Sequence, residues 1–243
     1  MTIDTMAAGI PMYVHPGIDG RSWAALATED QPVRYVVLNQ DSGPGASEDT
    51  VLYDAARAIR AKGATKVCGY VDYNFGNRVG GDFTVNQDAS TWISRGIDCV
   101  FLDRVPSSGA SVQPTSVTIL GLRKLGMKYV VLNYGVLPSP GHLDLADVAV
   151  VYEGDMATYR NLSVPSWVLE HEPERLAHLV YEASQAEVRE AIGLARGHGV
   201  HNVFVTDKTF ASGNPWAGVP LYWSDEAKAL KSWPARPAPG WQA

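Results

Sequence analysis

The amino-acid sequence predicts an α/β protein built as a single (β/α)8 TIM barrel. Three observations predict it. Short β-branched or aromatic runs alternate with amphipathic stretches along the chain, which is the rhythm of parallel strands joined by helical crossovers. Eight such runs can be counted, the number that closes a barrel. The length of 243 residues suits one barrel of about 250 residues better than two domains.

The strand candidates, in order, are Ile10–His15, Val33–Gln40, Lys66–Asp72, Asp98–Val105, Lys128–Tyr134, Val148–Glu153, Leu176–Glu182 and Asn202–Asp207. Helix candidates between them end in glycine, which can take the left-handed conformation that terminates a helix. They are Thr50–Ala61 before Gly63, Val85–Arg95 before Gly96, and Ser116–Leu125 before Gly126. Ser184 and Glu187 have the spacing of a capping box that opens a helix running to Arg196. The sixth crossover, Gly154 to Pro173, reads as a loop with a short helix, although its WVLEHE piece resembles a strand. The barrel domain is expected over residues 1–231, with a Pro-rich, unstructured tail over 232–243.

Composition excludes several function classes. A net charge of −6 lacks the clustered Lys and Arg that bind a phosphate backbone, so nucleic acid is not an expected partner. No stretch approaches 18 apolar residues, and none is expected to span a membrane. The start, MTIDTMAAGIPMYV, lacks the basic segment and long apolar core of a secretory signal, which suggests a cytoplasmic, phage-associated or trimmed secreted protein. The two cysteines, Cys68 and Cys99, sit inside apolar runs and are expected as buried free thiols.

A barrel keeps its chemistry at the C-terminal ends of its strands, so the polar residues that terminate the apolar runs are the candidates. They are His15; Asn39 with Gln40 and Asp41; Asp72 with Tyr73 and Asn74; Asp103 with Arg104; Asn133 with Tyr134; Glu153; Glu182; and Asp207. Carboxylates converging from different strands fit glycosidic cleavage, which needs one carboxyl protonated as acid and a second ionised as nucleophile or base. The sequence has no Gly-x-Ser-x-Gly elbow, phosphate-binding loop or His-Glu-x-x-His helix, and its six histidines are scattered. No cofactor and no metal are expected. The Gly-rich Asp41–Ala46 stretch matches no nucleotide fingerprint and reads as a turn shaping the cleft. Among the aromatic residues near strand ends, Tyr73 and Tyr134 are expected to face it.

The segments IPMYVHPG (10–17), VVLNQDSGPG (36–45), GYVDYNFGNR (69–78), GIDCVFLDRV (96–105), KYVVLNYG (128–135) and VFVTD (203–207) together resemble the spherulin-4 family. The resemblance covers Ile10 to about Trp223. It implies a (β/α)8 glycoside hydrolase of microbial exopolysaccharides, with relatives that cut α-1,4-linked galactosamine or N-acetylgalactosamine, as in galactosaminogalactan. The family's strand four typically ends in Asp-Glu and its strand six in Glu, matching Asp103, Arg104 and Glu153. Arg104 therefore puts a cation where the family has a carboxylate, which would repel a protonated amino sugar.

This reading makes Asp103 the nucleophile or stabiliser and Glu153 the general acid/base, and these roles could be exchanged. His15, Asn39, Asp72, Tyr73, Asn74, Arg104, Asn133, Tyr134, Glu182 and Asp207 would bind a polysaccharide. A rival places the second carboxylate at Glu182, and a salt bridge to Arg104 or Arg78 is the structural alternative for Asp103. A different class of function is a non-catalytic glycan-binding barrel, part of a larger assembly such as a phage particle.

Overall fold

In a computed structural model, residues 5–233 are described. Eight parallel strands run in sequence order around one sheet: β1 Ala8–Met12, β2 Val33–Leu38, β3 Lys66–Asp72, β4 Cys99–Asp103, β5 Tyr129–Asn133, β6 Val148–Asp155, β7 Leu176–Tyr181 and β8 Asn202–Val205. A parallel bridge between Ala7 and Asn202 joins the last strand to the first. Ala7 donates its N–H to His201 O at 2.9 Å and accepts from Val203 N at 2.9 Å. The (β/α)8 barrel is therefore closed.

The outer layer comprises α1 Gly20–Leu26, α2 Thr50–Arg60, α3 Gly81–Ser94, α4 Val112–Leu125, the single-turn α5 Met156–Tyr159, α6 Val188–Gly197 and α7 Trp223–Ser232. Asp49 caps α2 by accepting the Leu52 N–H, and Gly126 ends α4 at a φ of 114°. The Ser184–Glu187 capping box forms, and its first turn, Gln185–Glu187, is a 3-10 turn ahead of α6. In the sixth crossover, Ser166–Glu170 is a 3-10 turn rather than a strand. No helix among the described residues is long and apolar enough to cross a membrane. Of the expected tail, residues 234–243 lie outside the described residues, as do residues 1–4 of the N-terminus.

Large aromatic side chains fill the barrel, and small ones make room for them. Gly9 on β1 faces Tyr35, whose ring would lie 2.2–2.6 Å from an added Cβ. Gly69 on β3 meets Trp92 of α3 in the same way on the outer face, where the indole Nε1 donates to Tyr70 O at 2.9 Å. Trp92 and Tyr35 are fully buried, and the Tyr35 hydroxyl is buried without a hydrogen-bond partner.

Cys68 and Cys99 correct the sequence reading, because they form a disulfide. The register of β3 on β4 makes them direct Cα partners, 4.3 Å apart. Period-two alternation puts both on the face that also carries Tyr70, Asp72, Phe101 and Asp103. Sequence spacing alone does not reveal that pairing.

Candidate active site

Asp103 ends β4 and Glu153 lies near the end of β6, with Asn133, the last residue of β5, between them. Asn133 Nδ2 donates to Asp103 Oδ1 at 2.7 Å and to Glu153 Oε2 at 2.9 Å. The orientation of this amide is fixed, because its Oδ1 accepts the Gly135 N–H at 3.0 Å. The two carboxyls therefore lie within two hydrogen bonds of one another.

Burial raises both carboxyl pKa values above the ordinary range. For Asp103, hydrogen bonds from Tyr70, Asn133 and the Arg104 backbone oppose burial. For Glu153, the Asn133 bond opposes burial, the Asp103 charge adds to it, and the Trp216 bond opposes it. Each carboxyl also has a negative neighbour that favours its protonated form, Asp72 for Asp103 and Asp103 for Glu153, but Asp103 has more donors favouring its ionised form.

Two site residues escape the strand-end rule. Tyr70, two residues before the end of β3, donates its hydroxyl to Asp103 Oδ2 at 2.8 Å. Tyr13 packs edge-on against it with ring centroids 5.6 Å apart. The alternation that puts Asp72 on the inner face puts Tyr70 there too, so the period of the strand carries this signal. Trp216 comes from the loop between β8 and α7 and donates its indole N–H to Glu153 Oε1 at 3.1 Å. No local pattern in the sequence marks it.

Asp103 is bridged to neither Arg104 nor Arg78. Arg104 instead forks onto Asp72, with Nε on Oδ1 at 2.8 Å and Nη2 on Oδ2 at 2.5 Å. Asp72 also accepts the Asn74 N–H at 2.8 Å, and burial notwithstanding these partners hold its pKa low. Arg78 pairs with Asp88 at 2.6 Å. Asn74, Phe75 and Arg104 all adopt positive φ, of 48°, 54° and 56°, and a left-handed non-glycine residue carries a cost of about 1–2 kcal/mol. Arg104 sits 5.7 Å over the Phe75 ring and is 44% exposed.

The other expected residues are held elsewhere. Tyr73 is buried with its hydroxyl 2.9 Å from Thr118 of α4, and Tyr134 is buried with its hydroxyl 3.1 Å from His142 Nδ1. Both pack behind the strands, because each directly follows an inward-facing residue. His15 lies 3.0 Å from Asp49 at the start of α2. Asn39 accepts the Gly43 N–H at 3.1 Å and shapes the Asp41–Ala46 turn, while Asn74 donates to Asn77 O at 3.2 Å. Glu182, at a φ of 56°, and Asp207 are exposed, and neither joins the carboxyl pair. Among the described residues, no group of three or more His, Cys, Asp or Glu side chains is arranged to hold a metal.

Solved structures share this architecture. The chain superposes on Aspergillus clavatus Sph3, solved in complex with GalNAc, with a TM-score of 0.76 and 21% identity, covering 96% of this chain and 100% of that one. It matches the GH113 β-mannanase AaManA of Alicyclobacillus acidocaldarius, in complex with ManMIm, with a TM-score of 0.57 and 16% identity over 96% and 99% of the two chains. The α-galactosidase TtGalA of Thermus thermophilus, in complex with stachyose, matches with a TM-score of 0.55 and 13% identity over 93% and 65%. No curated protein matches the chain. The model of spherulation-specific family 4, Spherulin4, matches residues 8–230, and with nearly the whole barrel inside that span the chain belongs to this family.

Proposed function

We propose that the chain is a glycoside hydrolase acting on a microbial polysaccharide that contains N-acetylgalactosamine or galactosamine, with retention of anomeric configuration. The observation that carries the reading is the buried Asp103–Asn133–Glu153 bridge. Carboxyls about 5–5.5 Å apart leave no room for a water between base and sugar and suit a double displacement, whereas inversion needs about 6.5–9.5 Å. Family membership and the GalNAc bound to Sph3 support the class of sugar.

In the first step Glu153 gives its proton to the glycosidic oxygen as the Asp103 carboxylate bonds to the anomeric carbon, and the C–O bond to the leaving sugar breaks. In the second, Glu153 takes a proton from water, the water oxygen bonds to the anomeric carbon, and Asp103 leaves as a carboxylate. Tyr70 and Asn133 favour the ionised form of Asp103 that attacks, and burial favours the protonated form of Glu153. Arg104, neutralised by Asp72, is a fixed wall of the cleft rather than an isolated cation.

The test is a count of new reducing ends from galactosaminogalactan, native and deacetylated. Asp103→Asn and Glu153→Gln should each lose at least about a thousandfold in kcat/KM, while Glu182→Gln stays within about tenfold. Binding without release of reducing ends by the wild type would replace this reading with that of a glycan-binding barrel.

A further inference from the structure

Trp216 begins a file of aromatic rings that leads from Glu153 to the rim of the barrel. Its indole N–H is on Glu153, and its ring centroid lies 6.1 Å from that of Tyr181, the last residue of β7, at 78°. Tyr181 in turn meets Phe210 edge-on at 5.2 Å and 82°. Phe210, like Trp216, lies on the loop between β8 and α7, and it is 59% exposed. An aromatic ring of this size left open to water has lost the burial that would otherwise stabilise it.

The loop that carries both residues is fixed at several points. Trp216 O accepts the Tyr13 N–H at 2.9 Å. Arg21 Nη2 donates to Val219 O at 2.7 Å, Lys208 Nζ donates to Ala217 O, and Ser212 N donates to Thr209 Oγ1 at 2.9 Å. Phe210 is thus an exposed ring on an anchored loop. Tyr181 is only partly exposed.

We infer that Tyr181 and Phe210 form a sugar-binding subsite on the β7–β8 rim, taking a pyranose ring of the same glycan chain beyond the one held at Asp103 and Glu153. The C–H face of a pyranose is apolar and stacks on an aromatic ring, while the Tyr181 hydroxyl offers a hydrogen bond to a ring substituent. The subsite reads chain length rather than linkage chemistry. It rests on the proposed glycan-cleaving function, since its occupant is the continuation of that substrate.

The test measures the affinity of N-acetylgalactosamine oligomers of one to six α-1,4-linked residues, in an Asp103→Asn background that prevents turnover. Affinity should rise with length, and Phe210→Ala should remove about three- to tenfold of that gain while leaving the monosaccharide unaffected. Phe210→Trp should restore it, which a fold defect would not. Equal affinity of the Phe210→Ala and parent proteins at every length overturns the subsite and leaves the hydrolase reading standing. Binding of none of the oligomers by the parent protein overturns the subsite, while release of reducing ends from galactosaminogalactan by the wild type decides separately whether the hydrolase reading stands.

Discussion

Glu153 sits between two donors and one charge, and each leaves a mark on its acidity. The Trp216 N–H, at 3.1 Å, stabilises the carboxylate and so lowers the pKa that burial has raised. Replacing Trp216 with Phe keeps a ring but removes that donor, so the Glu153 pKa rises further. A general acid must be protonated when the leaving group departs. The basic limb of the kcat/KM profile should therefore move to higher pH in Trp216→Phe, read from initial rates across pH. A basic limb that stays in place or moves down would mean that Glu153 is not the acid. Asp103, Asn133 and Glu153 were visible in the sequence because each ends an apolar run. Trp216 was not visible, because its role arises from a loop closing over the mouth from the far end of the chain. Tyr73 and Tyr134 misled for the opposite reason: proximity to a strand end does not say which face a side chain takes, and the alternation in VDY and LNY turns both tyrosines outward.

At the scale of elements, α7 docks on the barrel through a buried acid. Glu226 is fully buried, accepts the Val205 N–H at 2.9 Å on one oxygen, and leaves the other without a partner. Burial raises its pKa well above the ordinary value, which favours the protonated carboxyl in the folded protein. A carboxyl whose folded pKa exceeds its unfolded one contributes stability that is complete below the unfolded value, about 4.3. That stability is lost as pH climbs through the folded value. Glu226→Gln keeps the carbonyl acceptor and cannot ionise. Its Tm should pull ahead of the wild type as pH rises from about 5 to 8, by about 2–4 °C for each kcal/mol of relief. Melting curves that stay parallel across this range would show that the folded Glu226 carboxyl titrates as it does in the unfolded chain, against the raised pKa. All eight strands were legible as apolar runs with polar ends, although β1 lies at Ala8–Met12 rather than Ile10–His15, and β2, β4 and β8 stop short of the ends expected for them. Helix starts were less so: α3 begins at Gly81 and α4 at Val112, four residues before the expected Val85 and Ser116, because their first turns, GDFT and VQPT, do not carry the apolar periodicity of the turns that follow.

At the scale of the whole molecule, closure brings together residues that the sequence keeps apart. Asp103 and Glu153 are 50 positions apart, and Trp216 lies 63 beyond Glu153. The barrel register, with β5 between β4 and β6, makes Asn133 the shared donor. The same register aligns Cys68 with Cys99 and produces a disulfide that spacing alone did not suggest. The proposed catalytic geometry thus rests on the shared donor: Asn133, on the strand between the two carboxylates, holds one oxygen of Asp103 and one of Glu153 on the same nitrogen, a proximity that suits a covalent intermediate on Asp103. The most direct measurement is proton NMR of the reducing-end anomeric signal in the first minutes of galactosaminogalactan cleavage, before mutarotation mixes the anomers. An α anomer is expected first, retained from the α linkage. A β anomer appearing first would contradict the assignment of Asp103 as nucleophile, and no anomeric signal at all would contradict hydrolysis of this polymer.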